Sequence, residues 1–122
     1  MPKYKLLFFQ KEDGTAPAED YINLLDNKMA AKVYRLLMMI SKNGPELREP
    51  YSKHLEDGVF ELRTQIGSDL SRVLYFFANR RRVILTNGFS KKTQKTPRSE
   101  IEKAKAYRKE YYEREAHNDE NT

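Results

Sequence analysis

The sequence contains no cysteine and no tryptophan, and its two histidines, His54 and His117, stand far apart. Without cysteine there can be neither a disulfide nor a thiolate metal site. Two distant histidines have no ligand-like spacing, so no metal or other cofactor is expected. Long hydrophobic runs are missing as well. The longest, Leu36 to Ile40 and Val73 to Ala78, fall far short of a membrane span, and the four apolar residues Leu6 to Phe9 are too few for a signal peptide. The expectation is a soluble, cytoplasmic protein without membrane contact. There is no internal repeat, no Gly-rich phosphate loop, no GxSxG elbow and no paired carboxylates in a pattern suited to sugar hydrolysis, so the common enzyme signatures are excluded.

What is present suffices for one core. In 122 residues, 39% are hydrophobic and fourteen are aromatic (eight Tyr, six Phe), enough to bury a single modest core and too little for two. The remaining feature is charge, and it is unevenly placed. From Leu62 to Arg98 nine basic residues (Arg63, Arg72, Arg80, Arg81, Arg82, Lys91, Lys92, Lys95, Arg98) face one acidic residue, Asp69, a local net of +8 against +5 for the whole chain. A positive field confined to one part of the molecule points to a polyanionic partner.

The same region carries the best strand signals. Phe60 and Leu62 alternate with Glu61 and Arg63, and Val73, Tyr75 and Phe77 alternate with Leu74 and Phe76, with a turn at Ile66-Gly67-Ser68-Asp69. Val83 to Phe89 supplies a third strand after a hairpin at Asn79 to Arg82 that lacks the usual glycine. An antiparallel meander is predicted. Before it, Tyr4 to Phe9 reads as a short strand closed by an Asp13-Gly14 turn. Ala18, Tyr21, Ile22 and Leu25 form the apolar face of a short helix that starts near Thr15 and Pro17. Met29, Val33, Leu36, Leu37 and Ile40 form a second helix, which begins after Asn27 and stops at Asn43-Gly44-Pro45. Glu46 to Asp57 shows no period and reads as a loop. Thr96 as N-cap and Pro97 at the first helical position open a last helix, with Ile101, Ala104, Tyr107 and Tyr111 on one face; from Glu113 the chain turns polar and is expected to fray.

The predicted fold class is therefore α+β: two N-terminal helices packed on a small twisted antiparallel sheet, with a C-terminal helix. One domain spans 1–112, followed by a polar tail, 113–122. The middle strand is apolar on both faces while two helices cover only one. Either the C-terminal helix or a partner protein must cover the other.

Clustered guanidinium and ammonium groups on strands suit phosphate recognition, because a rigid sheet fixes their spacing and Arg can grip two phosphate oxygens at once. For Arg80, Arg81 and Arg82 a solvated hairpin tip that protects a sheet edge is the plainer explanation. Arg63 and Arg72, each embedded in an apolar strand, favour a functional one.

These residues also carry a resemblance. Gly58-x-Phe60-Glu61-Leu62-Arg63, Arg72-Val73-Leu74-Tyr75-Phe76-Phe77, Asn87-Gly88-Phe89-Ser90-Lys91-Lys92-Thr93-Gln94-Lys95-Thr96-Pro97 and Glu100-Ile101-x-x-Ala104, preceded by Tyr51-x-Lys53-His54-Leu55, resemble in order and spacing the phage-derived HigB-like branch of the RelE/ParE toxins. The resemblance covers residues 4 to 112. It implies the toxin of a type II toxin–antitoxin pair, an endoribonuclease that cuts mRNA on the ribosome, held in check by a cognate antitoxin of the helix-turn-helix, HigA-like kind.

By that resemblance Arg63 and Arg72 grip the phosphate, and Lys91 or Lys92 assists proton transfer or binds neighbouring phosphates. His54 is an acid/base candidate, with a structural loop histidine as the competing explanation. Glu61 is either a base or an ion-pair partner. Lys53, Arg80, Arg81, Arg82, Lys95 and Arg98 are the candidates for contacts along the RNA. Two other classes stay open at this point: a ParE-like gyrase inhibitor acting through protein contacts, and a non-catalytic nucleic-acid-binding module.

Overall fold

Local sequence signals set most of the element ends in the computed structural model, which describes residues 3–90 and 95–120. β1 (Lys5–Phe8) leads into α1 (Pro17–Asn23), which begins with its proline in the first turn, where the missing N–H costs nothing. α2 (Asn27–Asn43) is capped by Asp26, whose carboxylate accepts the Met29 N–H at 2.8 Å, so the cap lies one residue before the expected Asn27. The helix stops at Gly44, which has φ +56°; a Cβ there would also lie 2.2 Å from the Tyr4 ring, so only glycine fits.

A 3-10 turn, Gly44–Glu46, follows, and then β2 (Ser52–Glu56), β3 (Val59–Ile66), β4 (Asp69–Ala78), β5 (Arg82–Ser90) and α3 (Arg98–Glu120). The stretch expected to be a loop, Glu46 to Asp57, thus contains a strand. β2 has little alternation of its own and exists because β3 offers it an edge, with Ser52 opposite Leu62 and His54 opposite Phe60. The β4–β5 hairpin turns without glycine, through Arg80 and Arg81 at φ +63° and +54°.

Among the described residues the strands form one sheet in the order β1-β5-β4-β3-β2. β3, β4 and β5 form the expected antiparallel meander and β2 adds an antiparallel strand at its edge, but β1 lies parallel to β5, with Leu6 opposite Val83, so the sheet is mixed. A pairing between residues almost eighty positions apart leaves no trace in local periodicity.

Each face of the sheet has its own cover. On one, Ala18 and Ile22 of α1 and Met29, Val33, Leu36, Leu37 and Ile40 of α2 pack against Leu62, Val73, Tyr75, Val83 and Leu85. On the other, Val59, Leu74 and Phe89 pack with Ala104, and Phe9, Phe76 and Ile84 with Tyr107 and Tyr111. Leu74 and Phe76 are buried within the chain itself. The C-terminal helix therefore covers the second face of β4, and the apolar surface that a partner could have covered there is not left over.

α3 also continues past Glu113, where fraying was expected. Arg114 donates to the Gln10 carbonyl at 2.5 Å and lies 5.3 Å from the Phe9 ring centre, and Arg82 stands 3.5 Å from Glu115. These contacts hold the polar end of the helix against the sheet. No helix of the described residues is long and apolar enough to cross a membrane.

Candidate functional site

Arg63 and Arg72 are register partners on β3 and β4, so both side chains rise from the face that α3 covers. Glu61, two residues before Arg63, points the same way. Its carboxylate is the centre of the site. Oε1 accepts from Arg63 Nε at 2.6 Å, Oε2 lies 3.9 Å from Arg72 Nη1, and the Thr96 hydroxyl donates to Oε2. The alternation Phe60-Glu61-Leu62-Arg63 already contains the spacing for the Glu61–Arg63 pair. The contact with Thr96 spans 35 residues and could not be read locally.

Glu61 and Arg72 are wholly buried, whereas the Arg63 side chain keeps 23% of its exposure. Burial pulls the Arg72 guanidinium below its ordinary value; the Glu61 carboxylate opposes this, and the nearby Arg63 charge adds to it. Arg72 lies 5.8 Å from the centre of the Phe89 ring, a further contact for a cation held inside. The two arginines expected to act alike are thus placed differently. Arg72 is interior and faces Glu61, and Arg63 is the one that reaches the surface. Thr96, expected to cap α3, instead spends its hydroxyl on Glu61, and α3 starts two residues later, with the Pro97 carbonyl accepting from the Glu100 and Ile101 N–H groups.

Arg63 also lines a cleft of about 320 Å³ together with Lys32 of α2 and Tyr51 just before β2. A guanidinium held at its Nε by a buried carboxylate on a rigid sheet is positioned before any ligand arrives, which is what stabilisation of a developing phosphate charge requires.

The other predicted residues divide by location. Lys53 is the register partner of Glu61, on the Arg63 side of the sheet, and is exposed. Lys95 is exposed just before α3. His54 pairs with Phe60, on the face opposite Arg63 and Arg72; its Nε2 accepts the Gly58 N–H at 3.0 Å and its ring stands edge-on to Phe60 at 5.0 Å. That arrangement closes the β2–β3 turn and does not join the arginines. Arg80 and Arg81 form the β4–β5 tip beyond Ala78, the end of β4, which lies six residues from Arg72, or roughly 20 Å at about 3.3 Å per residue. Arg82 donates to the Asn79 carbonyl at 2.9 Å and lies over Tyr111, fastening the hairpin to α3. Lys91 and Lys92 lie outside the described residues.

Arg98 is committed to carboxylates. It binds both oxygens of Glu56, Nη2 to Oε2 at 2.7 Å, and also Glu102 at 2.6 Å; Lys105 joins Glu56 and reaches Asp57 at 2.9 Å. This cluster clamps the β2–β3 turn to the first turns of α3. Hydrogen bonds from Arg98 and then Lys105 hold the Glu56 carboxyl at about 2, well below the ordinary 4.5. A carboxylate whose folded value is depressed stabilises the fold fully above the unfolded value and loses that contribution as pH falls through the folded one. The melting-temperature difference between wild type and Glu56→Gln is therefore expected to be constant above pH 4.5 and to shrink between pH 4.5 and about 2. A difference that stays the same across this window would remove the clamp from the acid response.

A family model described as "Phage derived protein Gp49-like (DUF891)" matches residues 20–109, from within α1 into α3, and so takes in Glu61, Arg63, Arg72 and Thr96. No curated protein matches the chain. The family match spans well over half of the sequence and every element that builds the Glu61 site, and the chain accordingly belongs to the phage-derived Gp49-like family of the RelE/ParE-like toxin superfamily.

Proposed function

We propose that this chain is the toxin of a type II toxin–antitoxin pair, of the HigB-like kind, and that it cuts mRNA on the ribosome in the cytoplasm without a metal. One observation carries the reading: Arg63, fixed by the buried Glu61, lines a concave cleft together with a second cation, Lys32. RNA supplies its own nucleophile, the 2′-hydroxyl adjacent to the scissile phosphate, so the protein has only to align it and to stabilise charge.

In the proposed step the 2′-oxygen attacks phosphorus and loses its proton to a base, while the bond from phosphorus to the 5′-oxygen breaks and that oxygen takes a proton. The products are a 2′,3′-cyclic phosphate and a 5′-hydroxyl end. Arg63 binds the non-bridging oxygens, whose charge rises in the pentavalent state. Glu61, Arg72 and Thr96 position Arg63. Lys91 and Lys92, close in sequence to Thr96, are the proposed proton carriers; a lysine among other cations is a better base than an isolated one, since like charges disfavour its protonated form. A cognate antitoxin is the proposed partner, its acidic groups meeting the basic stretch.

The test uses the RNA. On ribosomes programmed with an mRNA carrying a single 2′-deoxy at the mapped cut, cleavage at that position is expected to disappear while neighbouring ribose positions are still cut. Normal cleavage of the deoxy substrate would mean that water attacks. Intact mRNA in induced, growth-arrested cells, with damaged DNA, would replace the reading with gyrase inhibition.

A further inference from the structure

The cleft beside Arg63 contains more than a phosphate site needs. Lys32 and Leu36 come from α2, Tyr51 from the segment before β2, and Gln65 and Leu70 from either side of the β3–β4 turn. Tyr51 is one of the few large hydrophobic side chains left exposed, at 41%. Its backbone is nevertheless fixed beside β3, because the Tyr51 carbonyl accepts the Arg63 N–H at 2.8 Å, and Tyr51 and Arg63 line the same cleft. The Lys32 ammonium is held as well, donating to the Gln65 carbonyl at 2.5 Å, which uses one of its three donors.

An exposed aromatic side chain, aliphatic lining from Leu36 and Leu70 and two positioned cations are complementary to one chemical class, an unpaired nucleotide. Its base is flat and apolar on its faces, and its phosphates are anionic. The volume of about 320 Å³ lies in the range of small-ligand sites. We propose that this cleft holds a single unstacked nucleotide of the RNA next to the scissile phosphate, with the base against the Tyr51 ring and a flanking phosphate on Lys32. The proposal rests on the ribonuclease reading for its choice of RNA, and it adds a specificity subsite formed by residues outside the Glu61 cluster.

The ring of Tyr51 is not needed for the strand pairing its backbone makes, so Tyr51→Ala keeps the fold. The probe is a short single-stranded 2′-O-methyl oligonucleotide, which binds as RNA and cannot be cleaved, followed by fluorescence anisotropy with the full chain across a salt series. Tyr51→Ala is expected to weaken binding about tenfold, Tyr51→Phe to bind like wild type, and Lys32→Ala to weaken binding and lower the salt slope by about one. Lys42→Ala, on α2 but outside the cleft, should change neither. Wild-type binding by both Tyr51→Ala and Lys32→Ala, with Arg63→Ala weakened, would overturn the subsite and leave the ribonuclease reading standing. Competition by polyglutamate as effective as by the oligonucleotide, insensitive to Tyr51, would also overturn it, since the cleft would then read charge alone. Tyr51-dependent binding in a protein that never cleaves mRNA would keep the subsite and remove the ribonuclease reading.

Discussion

Glu61→Ala is expected to lower the free energy of unfolding by about 3–5 kcal/mol, because it leaves the wholly buried Arg72 guanidinium without the carboxylate that faces it. For a domain whose total stability is about 5–15 kcal/mol, this is a large fraction. The cost arises from a buried charge that has lost its facing carboxylate, and a second variant shows it: Glu61→Leu combined with Arg72→Met removes both charges and should recover most of the loss, since a buried ion pair exchanged for apolar groups of similar volume is often neutral or better. Denaturant melts of the single and double variants form the test. A Glu61→Ala chain within 1 kcal/mol of wild type would mean that the interior cluster is not what holds Arg72 in place. The double variant serves a second purpose. If it folds but no longer cleaves mRNA, the network exists to orient Arg63.

Arg63→Ala is expected to lower mRNA cleavage by about 10²–10³-fold, the usual cost of removing one positioned donor from a developing oxyanion. The side chain is partly exposed, so the chain should still fold, though Glu61 loses its shortest partner, at 2.6 Å, and some stability goes with it. Arg63→Lys separates geometry from charge. Lysine restores the cation but cannot be gripped at a fixed Nε while presenting a planar fork to phosphate, so cleavage should remain well below wild type with near-normal stability. Single-turnover cleavage at a temperature where circular dichroism shows every variant folded is the measurement. Wild-type rates in Arg63→Ala would take this residue out of the reaction and, with it, the reason for the Glu61 cluster.

The two arginines make different predictions for a physical reason that no reading of the strand could supply. Both sit in apolar strands, face the same way and lie opposite each other in register. One is beneath α3 and the other is at the edge of what α3 covers. Alanine at Arg72 is therefore a test of folding first, and only alanine at Arg63 is a test of chemistry.

By itself, the sequence determined the class of fold and the family resemblance. The alternation in β3, β4 and β5, the apolar stripes of α1 and α2, the Gly44 stop and the Gly67 turn are local patterns, in which each residue's environment follows from its near neighbours. The concentration of positive charge between Leu62 and Arg98 was likewise visible before any coordinate. Contacts between distant segments were decided only by the tertiary structure. β2 became a strand because β3 offered an edge. β1 ran parallel to β5, and α3, rather than a partner, sealed the second face of β4. The same holds for the site. Thr96 reached Glu61 across 35 residues, Arg98 went to Glu56 and Glu102, His54 fell on the wrong face to meet the arginines, and Lys32 and Tyr51 came to stand beside Arg63. Periodicity records which face a residue is on; which other segment covers that face depends on the closure of long loops and the packing of the whole core, and that information is spread over the entire chain.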